Sequence, residues 1–338
     1  MNPDILRNPG LLLLLSVLLC GCATPWVEPA GSQRAVPRLK ESYAVMNDGY
    51  RLPVRRWEAE TNSRAVVLAL HGLNDYGNAF AGTGAFLAAR GITLLAYDQR
   101  GFGDTEGRAV WHGVDRMVAD VQTMMQLVRQ NYVDKPLFLL GESMGGAVVL
   151  ASLAEAPTLA DGIILVAPAV WSRATMPLYQ RLALWIAAHT VPDKPLTGEG
   201  LELQPSDNIE MLRALSRDPL VIKETRVDVL YGISNLMDTA AQSREPVKKP
   251  VLILYGLQDD IIPRKPACHF FLRLVDVQKQ NLSIVLYADG YHMLTRDLQS
   301  DTVLNDINRW TSDRNAYRDQ QAEQKERIGR LCGAKTKP

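Results

Sequence analysis

The stretch FLLGESMGGAVVL, Phe138 to Leu150, sets a glycine-flanked serine between two apolar runs. Gly141-Glu142-Ser143-Met144-Gly145 matches G-x-S-x-G, a sharp bend from buried strand to helix that lifts a serine hydroxyl above a sheet. Such a bend works only where a strand enters and a helix leaves, so it predicts layered α/β architecture. The remaining pattern agrees. AVVLALHG (65–72), ITLLAYD (92–98), GIILVAPA, VLILYG and LSIVLYADG are short apolar runs of the kind that form buried parallel strands. Helical spacing fills the intervals, notably 78–90 and 114–132. Before them, SYAVMNDGYRLPVRRWEA reads as two strands around the turn Asn47-Asp48-Gly49.

One region breaks the alternation. From Trp171 to about Pro246 the chain has helical patterns, above all MPLYQRLALWIAAH, but no strand strong enough to extend a sheet. It reads as a helical cap, 171–246, dividing an α/β core into 41–170 and 247–318, with a polar tail at 319–338. At 47% hydrophobic and 22% charged, 338 residues suffice for one large domain with such an insertion.

The N-terminus carries a different message. Residues 1–21 hold an apolar run, Leu11 to Leu19, too short to span a bilayer but fitting a secretory signal. Leu19-Cys20-Gly21-Cys22 resembles a bacterial lipobox, with small Gly21 before Cys22 as the expected lipidation site. An ordinary signal peptide with incidental cysteines is the plainer alternative. Residues 22–40 are rich in proline, glycine and polar side chains and read as a tether, at most ~60 Å long when extended. The implied location is the bacterial envelope, lipid-anchored and, with Ala23 rather than aspartate after the cysteine, at the outer membrane facing the periplasm. Cys268 and Cys332 would then meet an oxidising compartment, either as a disulfide or as two free thiols.

A serine needs a base, and the base needs an orienting group. In chains with this turn the order is serine, acid, histidine. YGLQDDIIP offers Asp259 and Asp260 beyond a strand end, and the loop position favours Asp259; Asp260 suits the turn before Ile261-Ile262-Pro263. DGYHML supplies His292 after the last strand, whereas His71, His112 and His189 lie too early and His269 falls in a helical stretch. The oxyanion of an acyl-transfer intermediate would take the N–H of Met144, after the serine, and that of Leu73 in HGLNDYG. In DQRGFGDTEG (98–107), a strand-ending loop, Asp98 and Arg100 are read as makers of structural hydrogen bonds rather than as catalytic groups, and the glycines lack phosphate-loop spacing.

Taken together, HGLNDYG, DQRGFGDTEG, GESMGG, SRDPLVIKETRV, GLQDDIIP and GYHMLTRD resemble the α/β-hydrolase superfamily, specifically its monoacylglycerol lipase and lysophospholipase group, which are serine aminopeptidase S33-like hydrolases. The likeness covers about Ser42 to Asp313. It implies the α/β-hydrolase fold: a mostly parallel central sheet flanked by helices, with a cap inserted between core strands. It further implies Ser143 as nucleophile, Asp259 as acid and His292 as base, acting on carboxylic esters of single-chain lipids. This sequence departs from the group at two places. Glu142 stands where histidine often precedes the serine, and Asn74-Asp75 stand where Gly-Glu is usual.

No metal or organic cofactor is expected: the five histidines are scattered singly, without metal-ligand spacing. Lys plus Arg balance Asp plus Glu at 37 each, which speaks against a nucleic-acid partner. The partners expected are a small lipid ester and, through the anchor, a membrane. In the cap, Leu178, Leu182, Trp185 and Ile186 share one helical face, which either packs on the core or lines an acyl groove above Ser143. A peptidase with the same three residues, or a lipoprotein that only binds a ligand, are the competing functions.

Overall fold

The computed structural model describes residues 23–333, apart from 61, 156–157, 199, 243–248, 279–280 and 318–320. Cys22 and the signal segment lie outside the described residues. The centre is a nine-stranded sheet in the order β1-β2-β3-β5-β4-β6-β7-β10-β11. Its antiparallel edge comprises β1 (Arg38–Leu39), β2 (Tyr43–Val45) and β3 (Arg51–Trp57). The hairpin joining β2 to β3 turns through Asp48-Gly49, with Gly49 at φ +82°. Next come the parallel strands β4 (Ala65–Leu70), β5 (Ile92–Tyr97), β6 (Leu137–Glu142) and β7 (Gly162–Val166). After the insertion, which holds the two-residue pair β8 (Pro195–Leu196) and β9 (Thr225–Arg226), the sheet is completed by β10 (Val251–Gly256) and β11 (Leu282–Tyr287).

Both faces of the parallel strands are covered, which is why they read as unbroken apolar runs. One face packs against α2 (Val114–Asn131), α3 (Met144–Glu155) and α7 (Arg264–Gln278) through Val118, Met124, Val148 and Phe270. The other packs against α1 (Ala81–Ala88) and α8 (Ser300–Ser312) through Leu87, Val303, Ile307 and the fully buried Trp310. This is the architecture the resemblance implied, with the strand ends that carry the loops of interest all at one rim.

Three segments differ from the sequence-based expectation. Within the insertion, α4 (Leu178–Thr190) and α5 (Ile209–Arg217) form a cap, but α6 (Val227–Gln242) belongs to the core. Its residues Val229, Ile233, Leu236, Met237 and Ala240 follow the i, i+4, i+7, i+8 pattern and are all buried against the α3 side. The expected tether is also not free along its length. Ala35 N donates to Asn47 O, Glu28 N to Trp111 O, and Arg38–Leu39 pair with β2, so this segment is strapped to the domain. Finally, 319–338 is not simply a polar tail. It contains α9 (Gln321–Leu331), whose Ile328 is buried, and the next residue, Cys332, bridges to Cys268 on α7 with a Cα separation of 5.4 Å.

Candidate active site

Ser143 sits between β6 and α3 at φ +52°, a left-handed conformation that costs a side-chain-bearing residue free energy. Surrounding structure imposes it. Ser143 N donates to Val166 O at 3.0 Å, and Ser143 O accepts from Ala169 N at 2.9 Å. The flanking glycine is a packing requirement: a Cβ on Gly145 would lie 2.1 Å from Leu70 O. The serine side chain thereby reaches the histidine from the far end of the sheet.

The structure brings the three expected residues together. Ser143 Oγ lies 2.9 Å from His292 Nε2, and His292 Nδ1 lies 2.8 Å from Asp259 Oδ2. All three are buried. Asp259 Oδ1 accepts from the amides of Ile261 and Ile262, at 2.8 and 2.9 Å, so the carboxylate is fixed before it meets the imidazole. Tyr255 braces the same turn by donating its hydroxyl proton to Ile262 O at 2.9 Å. Asp260 is exposed and takes no part. In this arrangement Nδ1–H donates to the carboxylate, which leaves Nε2 as the acceptor for the serine proton.

Two backbone amides remain available beside the serine. Met144 opens α3, where the first N–H groups of a helix have no partner in the helix. Among the described residues, neither its N–H nor that of Leu73 enters the backbone hydrogen bonds of the adjoining loops. The Leu73 loop passes close by, since a Cβ on Gly72 would stand 3.3 Å from Ser143 Cβ. His71 holds this loop. Its Nε2 accepts from Gln99 N at 2.9 Å, so Nδ1 carries the proton and donates to Gly72 O at 2.8 Å. Burial pushes its pKa down and keeps the ring neutral.

The cap fastens onto these loops. Ile222 N donates to Asn74 O, Asn74 Nδ2 to Thr225 Oγ1 at 2.6 Å, and the Tyr76 hydroxyl to Asp218 Oδ2 at 2.7 Å. Burial together with Asp218 pushes Tyr76 up to about 12, so it remains a donor. On the other side, Met293 N donates to Pro205 O, and Ser206 Oγ to Asp297 Oδ1 at 2.6 Å. The loop DQRGFGDTEG supplies framework: Asp98 accepts from Arg55 and the Gly77 and Asp104 amides, and Arg100 pairs with Asp48 and Asp120.

The α4 stripe behaves differently. Leu178, Leu182, Trp185 and Ile186 are 74%, 55%, 51% and 46% exposed, so this face does not pack on the core. No hydrogen bond or ring contact joins it to Ser143 among the described residues. The helix meets α6 instead: Ala188 is buried, and His189, stacked on Trp185 within the helix, meets the edge of Tyr231.

A charged cluster not anticipated from the sequence lies behind the serine. Arg296 donates to Asp75 Oδ2 at 2.7 Å and to Glu142 Oε1 at 2.9 Å, while Thr295 Oγ1 donates to Glu142 Oε2 at 2.9 Å. Asp75 and Glu142 were visible as departures from the group pattern. The usable signal was that two buried acids need a cation, and GYHMLTRD contains one. Among the described residues no group of three or more His, Cys, Asp or Glu side chains is placed to hold a metal ion.

The family model described as serine aminopeptidase, S33 matches residues 61–299, more than half of the chain. Monoglyceride lipase of Mus musculus is 28% identical over 292 residues, covering 85% of this chain and 95% of the mouse protein. Monoacylglycerol lipase of Mycolicibacterium smegmatis is 25% identical, covering 81% and 96%. The crystal structure of a soluble variant of Saccharomyces cerevisiae monoglyceride lipase with a substrate analogue superposes with a TM-score of 0.66 at 22% identity, covering 85% of this chain and 98% of that one, which shows a common fold.

Proposed function

The chain belongs to the serine aminopeptidase S33 family, and from that premise we propose that it hydrolyses carboxylic esters of single-chain lipids, with monoacylglycerol as the substrate. One observation carries the chemistry: the continuous relay from Ser143 Oγ through His292 to Asp259. Ser143 Oγ attacks the ester carbonyl while His292 Nε2 takes its proton and Nδ1–H stays on Asp259. The N–H groups of Leu73 and Met144 receive the negative charge that develops on the carbonyl oxygen. Collapse of the intermediate passes the proton from His292 to the departing glycerol oxygen and leaves an acyl-serine. Water, deprotonated by His292, then releases the fatty acid and restores the serine hydroxyl.

The choice of lipid ester over peptide bond is supported by the similarity to monoglyceride lipases along most of the chain. An exposed apolar stripe of Leu178, Leu182, Trp185 and Ile186 on the cap suits an acyl chain entering from a lipid phase. Release of fatty acid from monoacylglycerols of graded chain length, from lysophospholipid and from aminoacyl substrates tests this reading. Monoacylglycerol turned over fastest supports it; preferential cleavage of aminoacyl amides contradicts it.

The enzyme works, on this proposal, anchored through Cys22 at the outer membrane and facing the periplasm. The Cys268–Cys332 bridge supports an oxidising compartment. Cys22→Ser should abolish acyl labelling and shift the protein from the membrane to the soluble fraction; an unlabelled wild-type protein that is already soluble would contradict it.

A further inference from the structure

Each member of the charged cluster behind Ser143 lies next to a different part of the machinery. Asp75 follows Leu73 by two residues, Glu142 directly precedes Ser143, and Arg296 follows His292 by four. Arg296 is 221 residues from Asp75 and 154 from Glu142, so its fork joins loops far apart in sequence, and Thr295 Oγ1 adds a second bond between the histidine loop and Glu142. Its own backbone is fixed: Arg296 N donates to Met293 O at 2.7 Å, and Arg296 O accepts from Asn208 Nδ2 at 2.9 Å. Asp75 is equally constrained, because its Oδ1 accepts from Tyr76 N at 2.9 Å while Oδ2 takes the guanidinium. Burial alone would lower the affinity of Arg296 for its proton, but Glu142 and Asp75 outweigh that effect and hold it charged.

We infer that Arg296 is a positioning residue for ester hydrolysis: it clamps the Leu73 loop to the serine turn and to the histidine loop, fixing the Leu73 amide relative to Ser143. The two departures from the group pattern, Asp75 and Glu142, are thus two ends of one ion-paired clamp. Arginine suits this position because its two terminal nitrogens, fixed in one plane, each donate to a different carboxylate, whereas a lysine ammonium would have to reach both from a single point. Without it, two acids remain buried and facing the same space, and the loops they belong to move apart. Displacement of an oxyanion donor by even ~1 Å costs on the order of 10²-fold in rate, with little effect on ground-state binding.

The inference rests on the proposed hydrolase activity, and its test separates the two. Hydrolysis of p-nitrophenyl butyrate is measured for wild type, Arg296→Gln, Arg296→Lys and Asp75→Asn, with active sites counted by a fluorophosphonate probe. Per labelled site, kcat should fall about 10²-fold in Arg296→Gln, and about tenfold in Arg296→Lys and Asp75→Asn, with KM within about twofold of wild type. Asp75→Asn keeps the Arg296–Glu142 pair, so it provides the test if Arg296→Gln does not fold. Unchanged kcat per labelled site in Asp75→Asn and Arg296→Lys would overturn the clamp while leaving the hydrolase intact. A wild type that neither reacts with the probe nor cleaves the ester would overturn the hydrolase reading, and the clamp with it.

Discussion

The loops around Ser143 and the helix α4 above them solve opposite problems. Around the serine the working side chains are each held by two partners: Asp259 by two amides, His71 by two backbone groups, and Arg296 by two carboxylates. Strain at Ser143 persists because this network over-determines it. On α4 the reverse holds. Its large apolar residues face solvent, while Ala188 is buried and His189 meets the edge of Tyr231 on α6. Chemistry demands sub-ångström constancy, whereas admission of a lipid chain demands an apolar surface that is not already filled. The two regions therefore respond to different substitutions.

The sharpest test of that contrast is removal of the relay. Ser143→Ala and His292→Ala should each lower kcat by about 10⁶-fold, as for groups acting as a unit, with circular dichroism and melting temperature near wild type. Next in size, Asp259→Asn should cost about 10⁴-fold, because the amide presents the wrong partner to His292 Nδ1. Asp260→Asn, at an exposed position, should stay within about twofold, and a reversed ranking would reassign the acid. On the cap the effect becomes substrate-dependent. Leu182→Asp should reduce kcat/KM on a C16 monoacylglycerol about tenfold and on a C4 ester hardly at all, since about 0.8 kcal/mol follows each buried CH₂. Equal losses at both lengths would erase the distinction between the regions. Smallest for catalysis is Cys332→Ser, which opens a bridge spanning 64 residues and touches none of the three relay residues. Denaturant titration should show a loss of about 2–4 kcal/mol in stability, with kcat essentially unchanged.

What the sequence disclosed follows the same division. Short-range rules governed the strands and the serine turn: apolar runs ending at Gly141, and glycine where Leu70 O leaves no room, can be read locally. The order of Ser143, Asp259 and His292 was legible because each stands just past a strand end. Features that depend on distant pairing were not. The burial of α6 depends on the α3 surface it meets, so its periodicity alone could not separate core from cap. The Cys268–Cys332 bridge and the Ile328 contact gave order to a segment whose composition reads as a tail. Likewise Asp75 and Glu142 looked like anomalies until Arg296 was seen between them.

The central claim, that Ser143 forms an acyl intermediate from a monoacylglycerol, can be tested by acid-quenching the first turnover and mapping the modified peptide. Wild-type protein mixed with a C12 monoacylglycerol should carry the lauroyl group on the peptide containing Ser143, with glycerol released first. In Ser143→Ala that adduct should be absent and free fatty acid should not accumulate. Acyl transfer to another residue, or fatty-acid release that survives in Ser143→Ala, would contradict the account.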